Sequence, residues 1–155
     1  MLISVHLKPG SGTLPRKRRQ HELLNIGNWI AANDSVEHDF IILGDMNIYN
    51  GAELTAATPS GFVSLNDELR ATNTSPKSPH PYDHVMFDPV YSTEVDQTFD
   101  LKVVDLVEAM RQPWGMKHSF KPYPGDPYVH NSFRQAYSDH NPIVFRINVP
   151  GADDD

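Results

Sequence analysis

The chain of 155 residues contains no cysteine. That excludes a disulfide framework and any thiolate metal site, and it leaves the redox compartment open. No apolar run is long enough for a transmembrane helix. The opening Met1-Leu2-Ile3-Ser4-Val5 lacks the charged start and apolar length of a signal peptide. The expectation is a soluble chain with no membrane partner and an undetermined compartment. Positive charge is also scarce, with 13 Lys and Arg against 20 Asp and Glu and a net charge of −7. A cationic groove is therefore not visible in the totals. An acidic balance still suits sites where a divalent cation reverses the local field.

What is present suits one domain of modest core. Hydrophobic residues make up 39% and charged residues 21%, which is globular rather than disordered composition. Thirteen prolines and nine glycines call for many loops. Residues 2–7, "LISVHL", alternate like a strand. "KPGSGT" follows as a turn-rich loop. From Leu14 or Pro15 to Asn33 the spacing predicts a helix, with Leu23, Ile26 and Ile30 on one face and Trp29 beside them as core. Pro15 fits its first turn, and Asn33-Asp34-Ser35 ends it.

Residues 39–44 read as an apolar strand. Ala52 to Thr58 reads as a short helix and Phe62 to Leu65 as a short strand. Residues 66–81 form a polar, Pro-rich loop. Tyr82 to Phe87 and Leu101 to Leu106 read as strands, the latter running into a helical turn at Glu108. Residues 112–137 look irregular. Asn141 to Val149 reads as the last strand, with Ile143, Phe145 and Ile147 on one face. The tail, residues 150–155, is read as disordered. No internal repeat is visible. Strands with one or two helices make an α/β layered domain, and ligands of such sheets bind at strand ends.

Polar residues interrupt or end four of these strands. His6 lies in the first. Asp45 and Asn47 follow the second, in "FIILGDMN". Asp83 and His84 open "YDHVMF". Asp139 and His140 precede the last, in "YSDHNPIVF". Gathered at one sheet, these carboxylates and imidazoles suit metal-assisted phosphoryl hydrolysis. A hard divalent ion prefers carboxylate oxygen. A carboxylate near imidazoles can orient and deprotonate water. Imidazole and carboxamide can bond phosphate oxygens as charge develops.

"SVHL", "ILGDMN", "YDHVMF" and "YSDHNPIVF" resemble, in order, four motifs of the endonuclease/exonuclease/phosphatase superfamily. The combination is more specific than any one motif, and it runs from residue 3 to residue 145. The resemblance implies that Asp45 orients or deprotonates the attacking water and that Asn47 holds the scissile phosphate. It implies Asp139 as a ligand of Mg²⁺ or Mn²⁺. His140 would contact the phosphate and assist the leaving group. His6 would be a second phosphate-facing histidine, and Asp83 would orient one of these histidines. His84 receives no role. The implied substrate is a nucleic-acid phosphodiester, DNA first, with phosphomonoesters and lipid headgroups as alternatives.

Family domains carry a further N-terminal half with a glutamate metal ligand. Glu22, Glu37 and Glu53 do not stand in a matching context. The resemblance therefore implies a C-terminal half over residues 1–149: one α/β layer pair of the deoxyribonuclease-like four-layer α/β/β/α sandwich. Such a half is expected to leave one sheet face bare and to cover it by homodimerisation. It could also be catalytically inactive, as a binding module, or need an N-terminal partner chain.

Blander readings stand beside these. "GDMN" alone is commonly a strand-ending turn. Asp139-His140 could be a polar cap, His6 a satisfied strand histidine, and Asp83 a loop backbone partner. "PRKRRQHE" is read as a solvated face more readily than as a phosphate-backbone contact. Asn131 and Arg134 are candidates to reach substrate from a loop. Trp114 suits either core or rim.

Overall fold

The computed structural model describes residues 1–33, 37–118 and 120–149. The tail at 150–155 and the Asp34-Ser35 end of the first helix lie outside the described residues. A four-stranded mixed sheet forms the centre, in the order β1-β2-β4-β3. Its strands are β1 (Leu2–His6), β2 (Ile41–Asp45), β3 (Val63–Ser64) and β4 (Asp83–Phe87). β1 and β2 are parallel, and β4 runs antiparallel to both β2 and β3. The parallel pair needs a crossover, which α1 (Thr13–Asn33) supplies. α2 (Gly51–Ala57) follows β2.

One face of the sheet packs on α1 and α2. Ile42 and Met86 are fully buried there with Leu23, Met46 and Ile48. Arg19 shares this stripe and is also fully buried, which corrects the reading of the basic run as wholly solvated. Its position is helical in register with Leu23, Ile26 and Ile30. Arg19 donates to Glu53 Oε1 and, through Nη1, to the carbonyls of Lys8 and Gly10 at 2.7 and 2.8 Å. Glu53 also accepts from Tyr49 N at 3.1 Å, while its own N–H donates to the helix-capping Asn50 at 3.0 Å. One buried ion pair thus ties α1 to the loops after β1 and β2. Trp29, expected in the core, is 51% exposed and touches Phe40 only by an edge contact. It sits one step off the apolar stripe.

The other face is not bare, which corrects the premise of the expected dimer. Residues 88–101 and a two-stranded sheet of β5 (Lys102–Val103) and β6 (Ile143–Val144) fold across it. Val95, Leu101, Val103, Ile143 and Phe145 pack on Ile41, Val85 and Phe87. The last strand is shorter than its alternation suggests. Beyond Val144 a single bridge, Ile147 to Val95, continues the pairing.

The segment 112–137, expected to be irregular, carries two helical turns. After α3 (Leu106–Ala109) come α4 (Arg111–Lys117) and α5 (His130–Ala136). Seven residues are too few to show a helical period, and Pro113 and Gly115 argue against helix. Pro113 is tolerated because it lies in the first turn, where its missing N–H has no role. Phe133 is fully buried, with Tyr128 and Tyr137 rings at 5.6 and 5.3 Å. Asn131 and Arg134 therefore sit on an exposed helical face rather than in a loop. Trp114 is partly buried, and its indole N–H donates to the Lys121 carbonyl at 3.0 Å. No described helix is long and apolar enough to cross a membrane.

Candidate active site

The sheet register places the site. His6 pairs with Asp45 across β1 and β2, and Asp45 pairs with Asp83 across β2 and β4. The three residues form one row at one end of the sheet, and residues in register share a face. Gly44 makes this row possible. Its φ is 132°, and a Cβ there would lie 2.2 Å from the Val5 carbonyl oxygen. Only glycine lets the two strands close together before the acid.

After Asp45 the chain turns. Asp45 Oδ1 accepts the Asn47 N–H at 2.9 Å, and Asn47 adopts φ 52°. Asparagine is among the few residues that enter this left-handed region readily. Its side-chain nitrogen donates to the Leu7 carbonyl at 3.2 Å. The turn reading of "GDMN" is met, and the turn is what aims Asn47 back towards β1.

The remaining oxygen, Asp45 Oδ2, faces two imidazoles. His6 Nε2 lies at 3.3 Å and His140 Nε2 at 3.5 Å. His140 Nδ1 is bonded to Asp83 Oδ2 at 2.7 Å. An ionised carboxylate accepts only, so this bond puts the proton on Nδ1 and aims Nε2 at Asp45. Burial raises the Asp45 pKa above its ordinary value, against the opposing pull of His140. The hydrogen bond to Asp83 raises the His140 pKa, with Asp45 and Asp139 adding to it. The acid is thus a stronger base than usual, and the imidazole holds its proton more firmly.

The Pro-rich loop 66–81 carries the scaffold for His140. Asn73 forms a bridge with His140, and Asn141 N donates to the Thr72 carbonyl at 2.6 Å. Thr72 Oγ1 accepts the Asp83 N–H at 2.9 Å. These threonine and asparagine roles have no sequence signal of their own, because each bond spans distant residues. His84 is structural. It is fully buried, and its Nε2 donates to the Pro81 carbonyl at 2.7 Å, so Nδ1 accepts from Ser64 Oγ at 3.0 Å. Burial lowers its pKa to about 4.

His6, Asp45, Asn47, Asp83 and His140 are therefore brought together. Asp139 is exposed, next to His140, and its backbone carbonyl accepts Thr74 N at 2.8 Å. Among the described residues, the group close enough to grip a cation is Asp45, Asp83 and His140, with ligand atoms within 4.8 Å of one another. Within that group His140 Nδ1 and Asp83 Oδ2 already satisfy each other. Asp139 has no such internal partner among the described residues. Two carboxylate oxygens and an imidazole nitrogen in that group, with the exposed Asp139 carboxylate next in the chain, suit a divalent cation that keeps much of its water.

No family model matches the sequence, and no curated protein does. Solved structures do match in fold. A 3'-5' exonuclease (NExo) from Neisseria meningitidis aligns with a TM-score of 0.53 and 12% identity, over 96% of this chain and 61% of its own. The 3' phosphatase NExo from Neisseria, bound to a product DNA hairpin, aligns with a TM-score of 0.52 and the same identity and coverage. Humanized D. rerio TDP2 aligns with a TM-score of 0.41 and 16% identity, over 56% of this chain and 38% of its own. The chain spans 61% of the length of the two NExo chains. At these identities the likeness is one of fold.

Proposed function

We propose that the protein is a Mg²⁺- or Mn²⁺-dependent phosphoester hydrolase whose substrate is a nucleic-acid phosphodiester. The observation that carries this reading is the chain Asp83–His140–Asp45–His6, in which one carboxylate oxygen of Asp45 lies between two imidazoles. The NExo proteins, an exonuclease and a DNA-bound 3' phosphatase with the same fold, support it.

Asp45 Oδ2 takes a proton from the attacking water, and its raised pKa makes it a better base. Asn47 and His6 hold non-bridging phosphate oxygens. Protonated His140 faces the phosphate from Nε2 and supplies a proton or hydrogen bond as the leaving oxygen departs. Asp83 keeps that ring oriented and charged. Asp139 would hold the cation, which neutralises charge on the phosphate when bound.

The test is plasmid DNA cleavage by the purified chain with Mg²⁺, with Mn²⁺ and with a chelator, beside Asp45→Ala. Metal-dependent nicking lost in the variant supports the reading. Nicking that survives the chelator, or that persists in Asp45→Ala, refutes it.

A further inference from the structure

Beside the site, where β1 leads into α1, lies a shallow recess of about 350 Å³. It is lined by His6, Leu7, Lys8, Pro9, Arg18 and Glu22. The His6 side chain is 74% exposed and turns one edge to this recess while its Nε2 meets Asp45. Lys8 and Arg18 are exposed. Arg16, Arg19, Arg70, Arg111 and Arg146 each face a carboxylate. Among the described residues neither Lys8 nor Arg18 has one within ion-pair range.

The recess is firmly built. Buried Arg19 holds the carbonyls of Lys8 and Gly10 and fixes the backbone that carries Lys8. Glu22 is the one acid in the recess, and its Oε2 is buried with no hydrogen-bond partner. Two cations against one carboxylate leave this recess positive on a chain of net charge −7. That local reversal, next to the His6 imidazole, suits an anionic ligand.

We infer that Lys8 and Arg18 form a subsite for the phosphate adjoining the scissile one, so that the substrate is a polynucleotide strand running from Asn47 and His140 past His6 onto the β1–α1 loop. The inference rests on the proposed reading of His6 as phosphate-facing. A phosphomonoester or a single lipid headgroup offers no second phosphate for this recess. A nucleic-acid strand offers one at each nucleotide, and its binding is driven by such neutralised phosphates.

The test is binding of a fluorescein-labelled single-stranded 12-nucleotide DNA to the full chain, read by anisotropy in excess chelator over a salt series. Both side chains are exposed, and the Arg19 clamp uses the Lys8 backbone, so Lys8→Ala and Arg18→Ala keep the fold; unchanged thermal midpoints check this. Each variant is expected to weaken binding about tenfold at 0.1 M salt and to lower the salt slope by about 1. Glu22→Gln is expected to act in the opposite direction and tighten binding. Wild-type affinity and slope in the three variants would overturn the inference. So would variants that lose binding to vesicles of phosphatidylcholine and phosphatidylserine but keep binding to DNA. Hydrolysis of bis-p-nitrophenyl phosphate, which has no flanking phosphate, reads the parent proposal separately. A chain that hydrolyses it but shows no contribution of Lys8 or Arg18 to DNA binding keeps the activity and loses this subsite. A chain that fails to hydrolyse it but shows the expected slopes does the reverse.

Discussion

His140 Nδ1 and Asp83 Oδ2 lie 2.7 Å apart, though 57 residues separate them in the chain. This bond is the largest cause of the raised His140 pKa. It makes the ring a cation at pH values where a free imidazole has begun to lose its proton.

A bell-shaped pH profile for hydrolysis follows. In the proposed mechanism Asp45 acts ionised, and its pKa lies above 3.8, so activity rises on the acid side through that raised value. His140 must be protonated, and its pKa lies above 6.5, so activity falls on the alkaline side through that value. Asp83→Asn can still accept the Nδ1 proton but removes the charge. Its alkaline limb is expected to move to lower pH, with kcat/KM at neutral pH down by about 10²-fold. A limb that stays in place would mean that another group sets it.

Asp45→Asn separates activity from stability. The amide keeps an acceptor for Asn47 N–H and removes a carboxylate whose ionisation burial disfavours. Cleavage is expected to drop by about 10³-fold. The unfolding free energy should hold or rise by up to about 1 kcal/mol. Urea denaturation and the cleavage assay on the same preparation check both.

Gly44→Ala is expected to be severe. The added Cβ meets the Val5 carbonyl oxygen at 2.2 Å, at a φ of 132° that side chains rarely accept. Both the clash and the conformation must relax by parting β1 from β2, at a cost of about 4 kcal/mol or more. Urea denaturation midpoints should show it, and hydrogen exchange should locate the loss at the β1–β2 pairing.

Arg19→Met strips the buried Glu53 of its close partner and leaves it the more distant Arg16 Nε at 3.7 Å, with a cost of about 3–5 kcal/mol. The double variant Arg19→Met with Glu53→Gln should recover part of it. Chemical denaturation of the four combinations measures the coupling.

His84 makes stability fall in acid. Its folded pKa of about 4 lies below the ordinary 6.5, so between these values the unfolded chain takes up a proton that the folded chain refuses. The native state therefore has its full stability from this group above pH 6.5. It loses it progressively as the pH falls to 4, by a limit of about 3 kcal/mol. Denaturation curves from pH 4 to 7 on the wild type and on His84→Gln should differ in slope over that window.

The central elements could be read from the sequence alone, as could a set of acids, imidazoles and an amide that the fold gathers at one end of the sheet. The alternation of "LISVHL", the apolar run before Gly44 and the stripe Leu23-Ile26-Ile30 are local periodicities, and local periodicity survives without knowledge of partners. His6, Asp45, Asn47, Asp83 and His140 were legible because each stands at a strand end in a distinctive short pattern. Arg19 lies on the Leu23 stripe, but its neighbours in "PRKRRQHE" hid it among cations and it was read as solvated. Pairing between distant segments could not be read from local pattern. The cover over Ile41, Val85 and Phe87 comes from residues far along the chain, and no local pattern says which face they will choose. The short helices α4 and α5 depend on the aromatic cluster around Phe133, not on a period of their own. The row His6–Asp45–Asp83 depends on strand register, and a slip of one residue would have turned Asp45 to the opposite face.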